Sequence, residues 1–135
     1  MSNNPSSLSP AVRMGLRIGL LAIILAVLAG PAGAHAASVD AGRQVFAQCA
    51  ACHSVDGRNG VGPSLKGVLG RRAGTVPGFR YSRALKTSGK TWDADTLSAY
   101  VANPQAVVPG NHMPFSGLPD AAERADLLAY LSTLK

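Results

Sequence analysis

The sequence predicts a small all-α domain, on three observations. Apolar and small residues recur at helical spacing between residues 40 and 49, and again between residues 120 and 134. A third helical segment, residues 93–102, is ended by an Asn-Pro pair, because the residue before a proline is pushed out of the helical region. The two cysteines of the chain lie in Ala- and Gly-rich sequence without a βαβ pattern. Helices should therefore build the core.

The first predicted helix runs from about Asp40 to Cys49, with Ser38 or Asp40 as its N-cap. One face of it carries Gly42, Val45, Phe46 and Cys49. A glycine inside a helix costs about 1 kcal/mol relative to alanine, so Gly42 is expected to let another backbone come close.

The last predicted helix is expected to supply the backbone that comes close to Gly42. Asp120 begins it, and Glu123 follows three residues on, as in a capping box. Its apolar stripe continues through Leu127, Leu128, Leu131 and Leu134. We expect the two terminal helices to cross near Gly42, Phe46, Leu127 and Tyr130 and so to close the domain.

The central motif is the stretch Cys49-Ala50-Ala51-Cys52-His53. Two thiols two residues apart, with an imidazole directly after the second, match the attachment site of a c-type haem. Each sulfur would bind one vinyl group, and His53 would lie against the iron as the proximal ligand. A structural disulfide or a dithiol redox pair is the alternative; a zinc site is disfavoured because the chain has no third cysteine.

The N-terminal 36 residues have the order of a secretory signal. Arg13 and Arg17 precede an uncharged apolar run, and Ala34-His35-Ala36 offers a cleavage site before Ala37. An uncleaved membrane anchor is the alternative, although the uninterrupted part of the run is shorter than the roughly 20 residues that span a bilayer. Met14 is a candidate internal start. Either way, residues 37–135 are expected in the periplasm, exported or anchored there.

Cleavage before Ala37 would leave 99 residues, enough for one small domain. Such a domain has a thin core, so a large apolar cofactor should be needed for folding. Without Arg13 and Arg17, eleven basic and seven acidic residues remain. Seven of the basic residues fall in the stretch 66–90, which has no acid; it is either a solvated face or a docking surface. No nucleic-acid recognition motif accompanies this charge.

Met113 is the candidate second axial ligand. Met1 and Met14 lie in the leader, so Met113 is the one methionine of the predicted mature domain. It sits in a proline-bracketed loop and not on a helical stripe, where a methionine usually serves core packing. Thioether ligation of iron accounts for that position. His112 is the rival ligand, but adjacent residues of an extended loop point to opposite sides, and we expect His112 at the exposed edge.

These residues resemble the class I cytochromes c, close to small bacterial electron carriers and to mitochondrial cytochrome c. The resemblance covers essentially the whole of residues 37–135. It rests on Gly42 and Phe46, Cys49–His53, Gly62-Pro63-Ser64-Leu65, Gly70-Arg71-Arg72, Pro77–Tyr81, Thr91-Trp92, Tyr100, Asn103-Pro104, Pro109–Phe115 and Glu123–Leu127.

The resemblance implies roles for further residues. Pro63 would offer its carbonyl to His53, which fixes the Nδ1 proton and directs Nε2 at iron. Arg71, Tyr81 and Trp92 would bond to the haem propionates. Tyr100 would lie near the ligand sulfur, and Phe115 at the exposed edge.

Three positions depart from the mitochondrial pattern. Leu85 stands where an Asn usually joins a polar network, Asn111 replaces a Thr, and His112 replaces a common Lys. The polar network beside a propionate should therefore be smaller here.

The resemblance implies a one-electron carrier and not an enzyme: a monomer with one haem c attached through Cys49 and Cys52 and ligated by His53 and Met113. Its partners would be redox proteins with acidic docking surfaces: a quinol-oxidising cytochrome complex and a terminal oxidase, reaction centre or dehydrogenase. A haem enzyme or gas sensor with an open iron position is the alternative class, and a membrane-tethered carrier or complex subunit is another.

Overall fold

Helices supply the regular structure of residues 35–135, the part of the chain that the computed structural model describes. The bounds are α1 Val39–Val45, α2 Ala47–Ala50, α3 Arg83–Thr87, α4 Ala94–Ala102, α5 Pro104–Val107 and α6 Ala121–Leu131. The extended pairing found there is an isolated antiparallel bridge between Arg72 and Thr91. The predicted all-α class is confirmed. The predicted signal segment lies almost entirely outside the described residues, and among those described no helix has the length and apolarity of a membrane span.

The first predicted helix forms as two segments, α1 and α2, joined at Phe46. Of the two candidate caps, Ser38 is the one used: its hydroxyl accepts a hydrogen bond from the Ala41 amide at 3.2 Å. Phe46 keeps helical backbone angles, and its carbonyl accepts from the Ala50 amide at 3.0 Å. The α2 segment therefore continues almost in line toward the cysteines.

The two terminal helices cross at Gly42, as predicted. A Cβ placed on Gly42 would lie 1.9 Å from the carbonyl oxygen of Asp126 and 2.9 Å from Tyr130 Cβ, so only a glycine fits there. Beside this crossing the Phe46 and Tyr130 rings pack 5.3 Å apart, and Leu127 is 1% exposed. The crossing closes one end of the core.

The middle helix α4 begins and ends as the sequence indicates. Asp93 caps it by accepting from the Thr96 amide at 2.7 Å, and the helix ends at Ala102, with Asn103 as its C-cap. The chain then enters α5, which the periodicity did not predict. Asn103 caps α5 through its side-chain oxygen, and Pro104 occupies the first helical turn, where its missing N–H costs nothing.

The last helix ends three residues earlier than predicted, at Leu131. Asp120 caps its start by accepting from the Glu123 amide at 2.9 Å. At its end, the hydroxyls of Ser132 and Thr133 donate to carbonyls of the last turn, which satisfies acceptors that the helix leaves free. Leu134 therefore lies beyond the helix.

Candidate cofactor site

A cavity of about 440 Å³ lies between the helices and the long central loops. Its walls are largely apolar and include side chains of the core, such as Val68, Leu97 and Leu127. All nine residues that the sequence analysis assigned to the cofactor line it: Cys49, Cys52, His53, Pro63, Arg71, Tyr81, Trp92, Tyr100 and Met113. The fold thus brings together residues spread over 65 positions of the chain.

The two thiols reach this cavity from the end of α2. The Cys52 and His53 amides both donate to the Cys49 carbonyl, at 3.1 and 2.9 Å, which makes a tight turn. Both cysteines are free and half-buried, so no disulfide joins them. Burial, and after it the charge of Cys52, raises the pKa of the Cys49 thiol. The pair is available for covalent attachment.

The His53 ring is fixed by its backbone surroundings. Its Nδ1 lies 2.7 Å from the Pro63 carbonyl oxygen. A carbonyl only accepts, so Nδ1 carries the proton, and in the neutral imidazole Nε2 has the free lone pair. Gly62 lies directly against the ring, because a Cβ there would come within 2.5 Å of His53 Cε1. This is the arrangement that proteins use to orient a metal-binding histidine.

A polar wall is formed where residues 70–73 run antiparallel to residues 90–92. The Trp92 amide donates to the Arg71 carbonyl at 2.9 Å, which places the two residues side by side. The Arg71 guanidinium donates from one nitrogen to the Lys66 carbonyl at 2.7 Å and from the other to the Ser64 carbonyl at 2.9 Å. Burial lowers the pKa of Arg71, because its cation is poorly solvated there.

Tyr81 and Tyr100 add two phenols to the same cavity. The Tyr81 oxygen accepts a long hydrogen bond from the Val76 amide, at 3.4 Å, and its own proton is free to donate. The Tyr100 ring packs 4.8 Å from the Trp92 ring. Burial raises the pKa of Tyr81, and it raises that of Tyr100 to about 12. Both phenols therefore remain neutral hydrogen-bond donors at neutral pH.

Met113 reaches the cavity from an irregular loop, as expected. Its side chain is half-buried, whereas His112 is exposed. The Met113 amide donates to the side-chain oxygen of Asn111 at 2.9 Å. Leu85 also lines the cavity. Its apolar side chain stands where the mitochondrial pattern has an Asn, in keeping with the smaller polar network expected there.

The donor set fits a haem. The cavity combines two free thiols, an imidazole with one nitrogen unprotonated, a thioether, and a wall with the Arg71, Tyr81 and Trp92 donors. Thiols two residues apart suit vinyl attachment, and nitrogen and soft sulfur suit iron. Fold and site together define a c-type cytochrome with one haem.

Comparison with known proteins gives the family. The sequence model described as "Cytochrome c" matches residues 39–135. Cytochrome c2 of Rhodoblastus acidophilus is 53% identical over 98 residues, 71% of this chain and 92% of the relative. Cytochrome c2 of Rhodomicrobium vannielii is 48% identical over 116 residues, 84% of this chain and 93% of the relative. Cytochrome cH from Methylobacterium extorquens superposes with a TM-score of 0.69 at 46% identity, covering 71% of this chain and 98% of that one.

The chain belongs to the cytochrome c family, as a class I bacterial member. It carries one haem c, bound covalently through Cys49 and Cys52, and it is an electron-transfer protein and not an enzyme. Its partners are therefore redox proteins.

Some site residues were missed by the sequence reasoning. Gly62 was used only as part of a motif, although its contact with His53 makes any side chain there costly. Ser64 is 3% exposed; its carbonyl holds Arg71 and its hydroxyl accepts from two backbone amides. Neither contact has a signature in spacing or composition, since each joins segments through the backbone.

Proposed function

We propose that residues 37–135 form a periplasmic one-electron carrier whose haem iron is ligated by His53 and Met113. The observation that carries this proposal is that the His53 imidazole, with Nδ1 donating to the Pro63 carbonyl, and the Met113 thioether line the same cavity. The haem supplies an iron that cycles between Fe(II) and Fe(III). With both side chains as ligands, no position is left for oxygen or substrate.

The chain's own residues would set the properties of this centre. The Met113 sulfur is a soft ligand that favours the reduced state, in contrast to a second histidine. The apolar walls disfavour added positive charge and act in the same direction. Arg71, Tyr81 and Trp92 are proposed to hold the propionates, since charge-assisted and phenolic donors suit partly buried carboxylates. Pro63 is proposed to keep His53 in the right tautomer.

The ligand assignment is tested by Met113→Ala with His112→Ala as the matched control. The oxidised Met113→Ala holoprotein should lose the sulfur-to-iron charge-transfer band and bind carbon monoxide promptly when reduced. His112→Ala removes the exposed neighbour and should retain the band. A band that survives in Met113→Ala would mean that the wrong ligand was named. Prompt carbon monoxide binding by the unaltered protein would favour a haem enzyme or gas sensor.

The basic stretch 66–90 is the proposed docking surface for acidic partners. Of its seven cations, Lys66, Arg72, Arg80, Arg83 and Lys86 are exposed, and Arg80 also lines the cavity. None of these five exposed cations forms an ion pair with a carboxylate within residues 35–135, so their charge remains available. Positive charge near the cofactor would steer acidic partners, and such steering weakens with salt.

A salt series tests this surface. Arg80→Ala and Lys86→Ala together should flatten the dependence of the electron-transfer rate on ionic strength. Arg58→Ala is the control, because Arg58 is exposed but already paired with Asp56. An unchanged salt slope in the double variant would refute the docking surface. The partners proposed are a quinol-oxidising cytochrome complex and a terminal oxidase, reaction centre or dehydrogenase.

The domain assignment, with residues 1–36 removed as a signal, is tested by the intact mass of the exported protein. A mass that corresponds to residues 37–135 plus one haem is expected. A protein that begins at Met1 and fractionates with membranes would establish the anchored alternative.

A further inference from the structure

The loop that carries Met113 is tied to α5 by two side-chain amides. Asn111 is buried, 6% exposed, although it stands in an irregular loop. Its side-chain nitrogen donates to the Pro104 carbonyl at 3.0 Å and to the Val108 carbonyl at 2.9 Å. Its side-chain oxygen accepts from the Met113 amide at 2.9 Å. One side chain thus joins both ends of α5 to the backbone of Met113.

Gln105 supports the same loop from the exposed side of α5. Its side-chain nitrogen donates to the Asn111 carbonyl at 2.9 Å, and its side-chain oxygen accepts from the Gly110 amide at 3.2 Å. Pro109 and Pro114 on either side have no amide hydrogen, so neither can donate a backbone hydrogen bond that would hold the loop. We call Gln105 and Asn111 the amide clamp.

We infer that the amide clamp positions Met113, with Asn111 as the positioning residue that governs how readily the Met113 sulfur leaves the iron. This inference rests on the proposed ligation by Met113. In this proposal, release of the sulfur is accompanied by movement of the Met113 backbone, and that movement breaks its hydrogen bond to Asn111. In a buried site the separated groups are left without partners, which makes opening unfavourable.

The amide is specific to the task. Asn111 uses two donors and one acceptor at once. A threonine, which the mitochondrial pattern has here, offers a single hydroxyl with one proton to donate. It could accept the bond from the Met113 amide and donate to one of the two carbonyls, but it could not donate to both. The clamp should therefore hold Met113 more firmly than a threonine would.

The test is displacement of Met113 by imidazole in the oxidised holoprotein, followed through loss of the sulfur-to-iron charge-transfer band. Any change that favours the released state of Met113 raises the apparent affinity for imidazole. Asn111→Ala should raise it tenfold or more, since each lost buried hydrogen bond amounts to severalfold or more. Asn111→Thr should give a smaller rise, of about threefold, and so a partial rescue. Gln105→Ala, which leaves the Met113 hydrogen bond intact, should also give about threefold.

The control is Asp93→Ala, which removes the cap of α4 through its bond to the Thr96 amide. It should lower thermal stability as helix caps do, while imidazole affinity changes by less than twofold. If Asn111→Ala does not accumulate as holoprotein, the Asn111→Thr and Gln105→Ala variants decide the question.

Failure of the clamp and failure of the ligand assignment are distinguishable. A wild-type protein without the charge-transfer band would refute Met113 ligation and the clamp with it. A wild-type protein with the band, and Asn111 variants that bind imidazole as wild type does, would refute the clamp alone. A fall in thermal stability with unchanged imidazole affinity would likewise make Asn111 merely structural.

Discussion

Gly42→Ala tests the close crossing of the terminal helices. In an isolated helix this change is favourable by about 1 kcal/mol, because alanine is the better helix former. In this fold the new Cβ would lie 1.9 Å from the carbonyl oxygen and 2.5 Å from the carbonyl carbon of Asp126. Propensity and packing therefore predict opposite signs for the change in stability.

Packing should prevail. The obstructing atoms belong to the backbone of α6, so no rotamer change relieves the overlap and the helices must separate. Overpacking of a core costs about 1–3 kcal/mol, and a backbone obstruction belongs at the upper end of that range. Separation also weakens the Phe46–Tyr130 ring pair, worth about 1 kcal/mol. After the gain in helix propensity is subtracted, the free energy of unfolding should fall by about 3 kcal/mol.

Thermal unfolding of the oxidised holoprotein, followed by far-ultraviolet circular dichroism, measures this loss. For a domain of this size, a loss of about 3 kcal/mol lowers Tm by roughly 12–24 °C. Gly60→Ala is the control, since a Cβ there meets nothing closer than 3.4 Å and the backbone has no positive φ. If Gly42→Ala is as stable as wild type, the helices do not cross as closely as described.

Three further predictions concern single side chains. Burial raises the pKa of Tyr100 to about 12, so its contribution to stability is complete below pH 10 and should be lost between about pH 10 and 12. Tyr100→Phe should flatten that alkaline fall in the free energy of unfolding. A hydrogen bond from the Ser38 amide, and after it one from His35, lowers the pKa of Asp126; cleavage before Ala37 would remove His35 and leave the Ser38 contact. The contribution of Asp126 to stability is present above its unfolded pKa near 4 and is lost as pH falls further. Asp126→Asn should therefore reduce the slope of stability against pH on the acid side. Gly62→Ala should displace the His53 ring, seen as loss of the Nδ1 proton resonance from the holoprotein.

The terminal helix crossing was predictable because it has a signature in sequence. Gly42 interrupts a helical face that is otherwise apolar, and Leu127 and Tyr130 lie on the matching face of the last helix. The helices α3 and α5 had no such signature. They contain five and four residues, which is too short for a period of 3.6 to show. Their caps, Ser82 and Asn103, are equally typical of turns.

The site was predictable where it is contiguous and hidden where it depends on tertiary contact. The thiols and the imidazole occupy five consecutive residues, and their chemistry follows from that spacing. The direction of the Arg71 guanidinium cannot be predicted from spacing, because it is set by hydrogen bonds to the Ser64 and Lys66 carbonyls. The buried amide of Asn111 is set in the same way, by the carbonyls of Pro104 in α5 and of Val108 directly after it.

The two proposed iron ligands are held by different means, and this decides which one can be released. His53 directly follows Cys52, a point of covalent attachment. Its ring is hydrogen-bonded to the Pro63 carbonyl and packed against Gly62. Met113 has no covalent anchor; its loop is held by hydrogen bonds from side chains of residues 105 and 111. Breaking these few hydrogen bonds should cost much less free energy than moving His53 away from the iron, because His53 is held next to a covalent attachment point. Any exchange of ligands in this cytochrome should therefore begin at Met113, which is why the amide clamp and not the haem attachment sets its resistance to outside ligands.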